Sequence, residues 1–219
     1  MTTIIGVQGD GFALLCSDSR ITDVDEKGHA TQAVSLRDAG SKIAQNGRWV
    51  LGAAGDLRAI NILHYVFQPP TPTPGTRGRK LDEFVTTRFI PALRECFEVH
   101  GYAAPNEDRQ HVAEHSSTVI AAVNATIYVV DGDYSWMSDS QGVYALGSGA
   151  QFALGALATQ IPSKAKLTIP RAKSATLKAI AIASRYDPHT GPPYQTVLQE
   201  ARKGSATARK TVRTPAHRR

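Results

Sequence analysis

Cysteine is scarce in this chain. Cys16 and Cys96 are the only two among 219 residues. Two thiols cannot make a disulfide framework or a four-cysteine zinc site. Both are expected to be reduced packing residues, with Cys16 in the core because it lies inside an apolar run. Long apolar stretches are absent too. None approaches the roughly 20 residues that span a bilayer. The opening MTTIIGVQGDG has no basic segment followed by an apolar one, so no secretory signal is expected. The expected location is therefore the cytoplasm or the interior of a particle, with no membrane contact.

The fold itself also lacks excess charge of either sign. The chain carries a net +6, and residues 200–219 hold seven basic residues against the single acid Glu200. Residues 1–199 therefore sum to zero, and the net charge is no sign of a basic nucleic-acid-binding face. The tail has no interleaved aromatics and no apolar periodicity. It is expected to be a solvated, disordered segment whose only conceivable role is contact with a polyanion. The domain boundaries read as 1–199 for one globular domain and 200–219 for the tail. An apolar share of 42% and a charged share of 20% suit an ordinary soluble domain of that length.

Along the chain, strands come in groups and helices come in groups. TTIIGV, a turn at Gly9-Asp10-Gly11 and FALLCS predict a hairpin that opens at residue 3. Residues 41–45 and 49–54, around Asn46-Gly47, predict a second one. Asp56 is a plausible N-cap for a helix that places Leu57, Ile60, Leu63, His64 and Phe67 on one face. His64 has no second ligand spaced to join it and is not expected to bind metal. QPPTPTPGTRGRK is a loop. Leu81, Phe84, Val85, Phe89, Leu93 and Phe97 mark a second helix, which Pro91 should kink or break. STVIAAV and TIYVV then form strands around Asn124-Ala125. A small-residue helix follows Gly147-Ser148-Gly149 and runs through Leu157. Another helix covers residues 175–185, and a last strand lies near residues 194–198. This order predicts layered α+β packing and argues against alternating βαβ units.

Three pieces are polar where a plain core would be apolar: residues 17–22, Lys42, and residues 185–191. Taken singly each has an ordinary explanation, as a surface pair, a solvated lysine and a turn. Together with the N-terminus they resemble the proteasome β-subunit family and its bacterial heat-shock peptidase relatives. Thr2-Thr3-Ile4-Ile5-Gly6-Val7 is similar to a mature β-subunit N-terminus. Counting from Thr2 without a gap, Asp18, Arg20 and Thr22 fall on the family's acidic, arginine and threonine positions. Lys42 precedes an apolar residue after a variable loop, as the family's active-site lysine does. Residues 52–56 resemble its glycine-rich strand-to-helix junction, and residues 144–149 its Gly-Ser-Gly segment. Asp187, Thr190 and Gly191 match its Asp-x-x-Ser-Gly turn, with Thr in place of the usual Ser. The likeness covers about residues 2–198.

The resemblance implies an αββα sandwich of two antiparallel sheets between helix layers, the N-terminal-nucleophile hydrolase fold. It implies threonine-type hydrolysis of peptide bonds, with Thr2 as nucleophile once Met1 is removed and no metal or cofactor. A threonine hydroxyl needs a base to take its proton. The free α-amine of an N-terminal Thr, with an ordinary pKa of about 7.7–8.0, suits that task. In this scheme Lys42 stabilises the developing alkoxide and Asp18 holds Lys42 charged and oriented. Ser148, Asp187 and Thr190 form the hydrogen-bond set around the N-terminus, with Arg20 and Gly191 in support. The Gly52 N–H serves as oxyanion donor. A peptide adds as a strand beside Thr22, Gly52 and Ala54, and Val50 lines the primary specificity pocket.

The same resemblance implies a homo-oligomeric ring, a peptide or protein substrate, and an unfoldase or cap partner. Thr2 follows Met1 directly, a start shared with the bacterial heat-shock peptidase and plausible for a phage-encoded protein. A structural or assembly subunit, such as a virus-particle component that kept the fold, is the competing expectation. The complete residue set argues against it, since drift would erase Lys42 or Asp18 first.

Overall fold

The structure, a computed structural model, describes residues 2–24, 30–36, 41–102, 104–105, 113–161 and 167–201. Met1 and residues 202–219, the greater part of the expected tail, lie outside the described residues.

Strands β1 (Thr3–Gly9) and β2 (Phe12–Ser17) form the first hairpin, closed by a two-residue turn in which Gly11 has φ +79°. A side chain would be strained there, which is why the turn carries glycine. β3 (Arg20–Val24) and β4 (Ala30–Ser35) make a separate two-stranded ribbon. β5 (Ile43–Asn46) and β6 (Trp49–Ala54) form the next hairpin. Its loop residues are Gly47 and Arg48, with Gly47 at φ +60°, so the turn lies one residue beyond the Asn-Gly step expected from sequence.

Helix α1 (Leu57–Tyr65) follows, capped as expected by Asp56, whose carboxylate accepts the Arg58 N–H at 2.8 Å. The next helical stretch comprises α2 (Arg79–Phe84), a π-helical turn (Val85–Phe89) and α3 (Ile90–Val99). The π turn is the structural answer to Pro91. Proline has no N–H to donate to residue 87 and its ring crowds that carbonyl, so the ladder widens by one residue without breaking. β7 (Ala104–Pro105) and β8 (Ala113–Glu114) pair briefly. β9 (Thr118–Val123) and β10 (Thr126–Val130) turn through Asn124 and Ala125, both at positive φ. β11 (Trp136–Met137), β12 (Val143–Gly147), α4 (Ala150–Gln160), α5 (Ile169–Tyr186) and β13 (Gln195–Glu200) complete the order.

One antiparallel sheet runs β12-β1-β2-β13 and the other β11-β10-β9-β6-β5. Strand alternation explains how four layers arise. Ile5, Val7, Leu14 and Cys16 face α4 and α5, and Trp49, Leu51 and Ala53 face α1–α3. Ile4, Leu15, Ile43, Val50 and Ile120 meet between the sheets. Strands β2 and β6 are buried on both faces, hence their continuous apolar sequences. The fold is the αββα sandwich expected from sequence.

Two boundaries differ from expectation. The last helix begins at Ile169, six residues early, where Pro170 suits a first-turn position. The globular part extends past residue 199, because Glu200 pairs with Phe12 and the Ala201 N–H donates to the Gly11 carbonyl.

Candidate active site

The two sheets bring the chain's first residues, the end of β2, the start of β5 and the turn after α5 to one end of the sandwich. Asp18 is the hub. One carboxylate oxygen accepts the Thr3 N–H at 2.9 Å and the Lys42 ammonium at 2.7 Å. The other accepts the backbone N–H groups of Arg20 at 3.0 Å and Gly191 at 3.1 Å. Four donors saturate the acceptor capacity of a buried carboxylate. Lys42 also donates to the Arg20 carbonyl, and its side chain is wholly withdrawn from solvent. Burial pulls the Lys42 pKa below its ordinary value of 10.5, against the upward pull of the Asp18 charge and hydrogen bond. The His64 ring nitrogen Nε2 meets the Ser41 carbonyl.

A second network lies beside the first. Asp187 accepts the Ser148 hydroxyl at 2.7 Å and the Thr190 hydroxyl at 2.5 Å on one oxygen, and the His189 N–H on the other. Thr190 in turn meets the Thr3 hydroxyl at 2.5 Å, and the Gly149 N–H donates to that hydroxyl at 3.1 Å. The Thr2 carbonyl accepts the Ser148 N–H at 3.0 Å. The two networks meet at Thr3 and hold the segment that carries Thr2. Arg20 completes the frame by donating to the Pro188 carbonyl. Its guanidinium occupies the space that a Cβ on Gly191 would need, at 2.3 Å.

Thr2 itself is buried at 2% exposure and borders a cleft of about 280 Å³, lined also by Ala54, Gly55, Thr118, Gly147 and Ser148. Gly52 packs in β6 against Ile4, Ile120 and the Lys42 carbonyl. Thr22 is buried in β3. Of the expected substrate-contacting residues only Ala54 lines this cleft. Val50, expected in the specificity pocket, is 2% exposed in the core between the sheets. It lies four residues, roughly 13 Å of extended strand, from Ala54. Sequence reading gave no site role to Thr3 or Thr118, and placed Gly149 only within the Gly-Ser-Gly segment. Thr3 and Thr118 read as ordinary β-branched strand residues, with no spacing signal to set them apart.

Layer order, sheet topology and this end-on arrangement together define the N-terminal-nucleophile hydrolase fold. Among solved structures, the chain is similar to Thiobacillus denitrificans BPH, with 20% identity and a TM-score of 0.66 over 91% of this chain and 98% of that one. It is similar also to Thiobacillus denitrificans BPH in complex with epoxomicin, with 19% identity and a TM-score of 0.65 over 92% and 100% of the two chains. Eukaryotic HslV from Trypanosoma brucei matches at 19% identity with a TM-score of 0.58, covering 90% and 99%. At these identities the likeness is one of fold. No sequence-family model and no curated protein matches the chain. No helix among the described residues is long and apolar enough to cross a membrane. Among them too, no group of three or more His, Cys, Asp or Glu residues is arranged to hold a metal ion.

Proposed function

We propose that the chain is a threonine-type peptidase with Thr2 as its nucleophile once Met1 is removed. The observation that supports this reading most is the buried Lys42–Asp18 pair, bonded to the Thr3 N–H one peptide away from Thr2. A fully buried ammonium costs several kcal/mol unless paired and bonded. A surface pair at a strand end would not need this arrangement.

The chemistry runs as acyl transfer. The Thr2 α-amine takes the hydroxyl proton, and Oγ attacks the peptide carbonyl carbon. The N–H of Gly55, on the cleft wall that Gly52 does not reach, donates to the carbonyl oxygen as it gains negative charge. The peptide C–N bond breaks, the protonated amine group of Thr2 returns the proton to the leaving nitrogen, and an ester on Thr2 Oγ remains. A water molecule, deprotonated by the same amine, then attacks the ester carbon; the C–Oγ bond breaks, the amine returns the proton to Oγ, and the carboxylic acid leaves. Lys42 lies close in the chain of bonds to Thr2 and favours the deprotonated forms of both the hydroxyl and the amine. Ser148, Asp187 and Thr190 orient the N-terminal residue. Thr22 and Ala54 offer backbone to an extended peptide.

A ring-forming homo-oligomer is part of the proposal. Phe152, Leu154, Ile182 and Tyr186 stand exposed on the α4–α5 side, and Tyr65, Val66 and Val99 on the α1–α3 side. Apolar side chains on both outer layers fit burial between copies. An unfoldase or cap partner and a polyanion contact through residues 202–219 complete the reading.

Intact mass combined with hydrolysis of fluorogenic peptides tests the proposal. Protein lacking Met1 should be active, Thr2→Ala should be inactive, and epoxomicin, found in complex with the Thiobacillus BPH, should inhibit. Unchanged turnover in Thr2→Ala would remove Thr2 from the mechanism. Inactivity of the Met1-free protein against a broad peptide set would favour an assembly role.

A further inference from the structure

We infer that Thr118, with Ala54 facing it, decides which substrate side chain enters the cleft beside Thr2, and that the cleft takes a bulky uncharged side chain next to the scissile bond. The inference rests on the peptidase reading above and deepens it.

The cleft is mostly apolar and has no charged side chain on its walls. At about 280 Å³ it has room for a side chain larger than that of alanine or serine. A charged group placed there would lose hydration with no side chain of opposite sign on the walls to meet it, the Thr2 amine being engaged in the reaction.

The walls differ in whether they can vary. Gly55 has φ +132°, and a Cβ on it would lie 2.6 Å from the Ser116 carbonyl oxygen and the Ser117 hydroxyl. Gly147 has φ +89°, and its Cβ would fall 1.7 Å from the Thr2 carbonyl oxygen. Neither position tolerates a side chain. Ser148 is committed to Asp187 through its hydroxyl at 2.7 Å. Thr2 is reserved for the chemistry. Only Ala54 and Thr118 remain as positions whose size is free of these constraints.

These two residues sit directly opposite each other in the β6–β9 ladder. Side chains of opposed residues stand on the same face with Cβ atoms about 4.5–5.5 Å apart. Thr118 is the larger of the pair and is half-buried, so it forms the rim that sets the width of the entrance. Val50, further down β6, is 2% exposed and does not line this cleft.

The test uses Met1-free full-length protein and internally quenched peptides that differ only in the residues flanking the cleaved bond. The wild type should cleave beside leucine or phenylalanine faster than beside lysine or glutamate. Thr118→Phe should lower the phenylalanine-to-alanine ratio of kcat/KM at least about tenfold, the scale on which an apolar pocket discriminates by size. Thr118→Arg should gain cleavage beside glutamate, an outcome that a merely unstable variant cannot give. Uniform rate changes across all peptides, or a wild-type preference for charged side chains, would overturn the inference while leaving the peptidase reading intact. A wild type that cleaves no peptide would sink the peptidase reading, and this inference with it.

Discussion

Lys42 Nζ and Asp18 Oδ1 lie 2.7 Å apart, and neither side chain reaches solvent. The two ends of this pair are not equivalent. Asp18 also accepts N–H groups from Thr3, Arg20 and Gly191, so its carboxylate keeps three donors when the lysine is lost. The ammonium keeps the Arg20 carbonyl when Asp18 is lost, but it loses the carboxylate that lies 2.7 Å from it. Asp18→Ala should therefore cost about 3–5 kcal/mol of stability, the range for stranding a buried charge. Lys42→Met should cost clearly less. Urea unfolding of both variants measures this, and an equal or larger loss in Lys42→Met would contradict the asymmetry. Peptide hydrolysis should fall in Lys42→Ala by at least about 10²-fold, the scale for losing a positioned electrostatic group.

Burial lowers the Lys42 pKa, which gives the pair a pH signature. Between the lowered folded value and the ordinary 10.5, the unfolded chain binds the proton that the folded chain has released. Within that window this group makes stability rise with pH, and the contribution is lost as pH falls through the folded value. Activity follows the opposite sign, because the proposed mechanism needs the ammonium. The basic limb of the kcat/KM profile should thus fall below pH 10.5 and be absent from the residual activity of Lys42→Met. A limb at or above the ordinary lysine value would show that burial does not control this group.

The layered fold was legible because burial writes itself into periodicity. Strands β2 and β6 are apolar throughout because both faces are covered, and the hairpin turns announce themselves as Gly9-Asp10-Gly11 and Asn46-Gly47. The β3–β4 ribbon was not legible. Residues 32–35 are all exposed, so no apolar alternation marks the second strand. For the site, motif resemblance singled out Asp18, Lys42, Ser148, Asp187 and Thr190, which sequence spacing alone would not have joined. The role of Thr3 was invisible because its hydroxyl meets Thr190, 187 residues away. The placement of Val50 went astray for a related reason. Strand parity puts residues 50, 52 and 54 on one face but does not say where along the strand the cleft ends.

Two glycines with similar backbone angles separate conformational strain from steric exclusion. Gly11 has φ +79° with nothing within 4 Å of a Cβ built on it, and Gly147 has φ +89° with the Thr2 carbonyl oxygen at 1.7 Å. Gly11→Ala should cost only the left-handed penalty of about 1–2 kcal/mol. Gly147→Ala should cost that and, in addition, the displacement of the segment carrying Thr2. Its loss of peptide hydrolysis should exceed what its stability explains. Thermal unfolding and kcat/KM of both variants decide the matter, and equal effects would mean that the Thr2 segment shifts without consequence.

Thr190 links the two networks through one oxygen, which meets both the Asp187 carboxylate and the Thr3 hydroxyl at 2.5 Å. Its residue is fully buried, so a lost partner cannot be replaced by bulk water. Thr190→Val keeps the side-chain shape and removes the hydroxyl. It strands one acceptor site on Asp187 and leaves the Thr3 hydroxyl with the Gly149 N–H as its remaining partner. Leaving buried polar groups unsatisfied costs about 1–3 kcal/mol. Because Thr3 adjoins Thr2, hydrolysis should fall as well, and more steeply in kcat than in KM, since the backbone of Ala54, proposed to bind the peptide, lies on another strand. Thr190→Ser retains the oxygen and removes only a methyl group. It should restore hydrolysis to within a few-fold of wild type and give back most of the stability. If Thr190→Val behaved like wild type and Thr190→Ser did not, the methyl group and not the hydroxyl would be the part that matters, and the bond from Thr190 to Thr3 would have no role in holding Thr2.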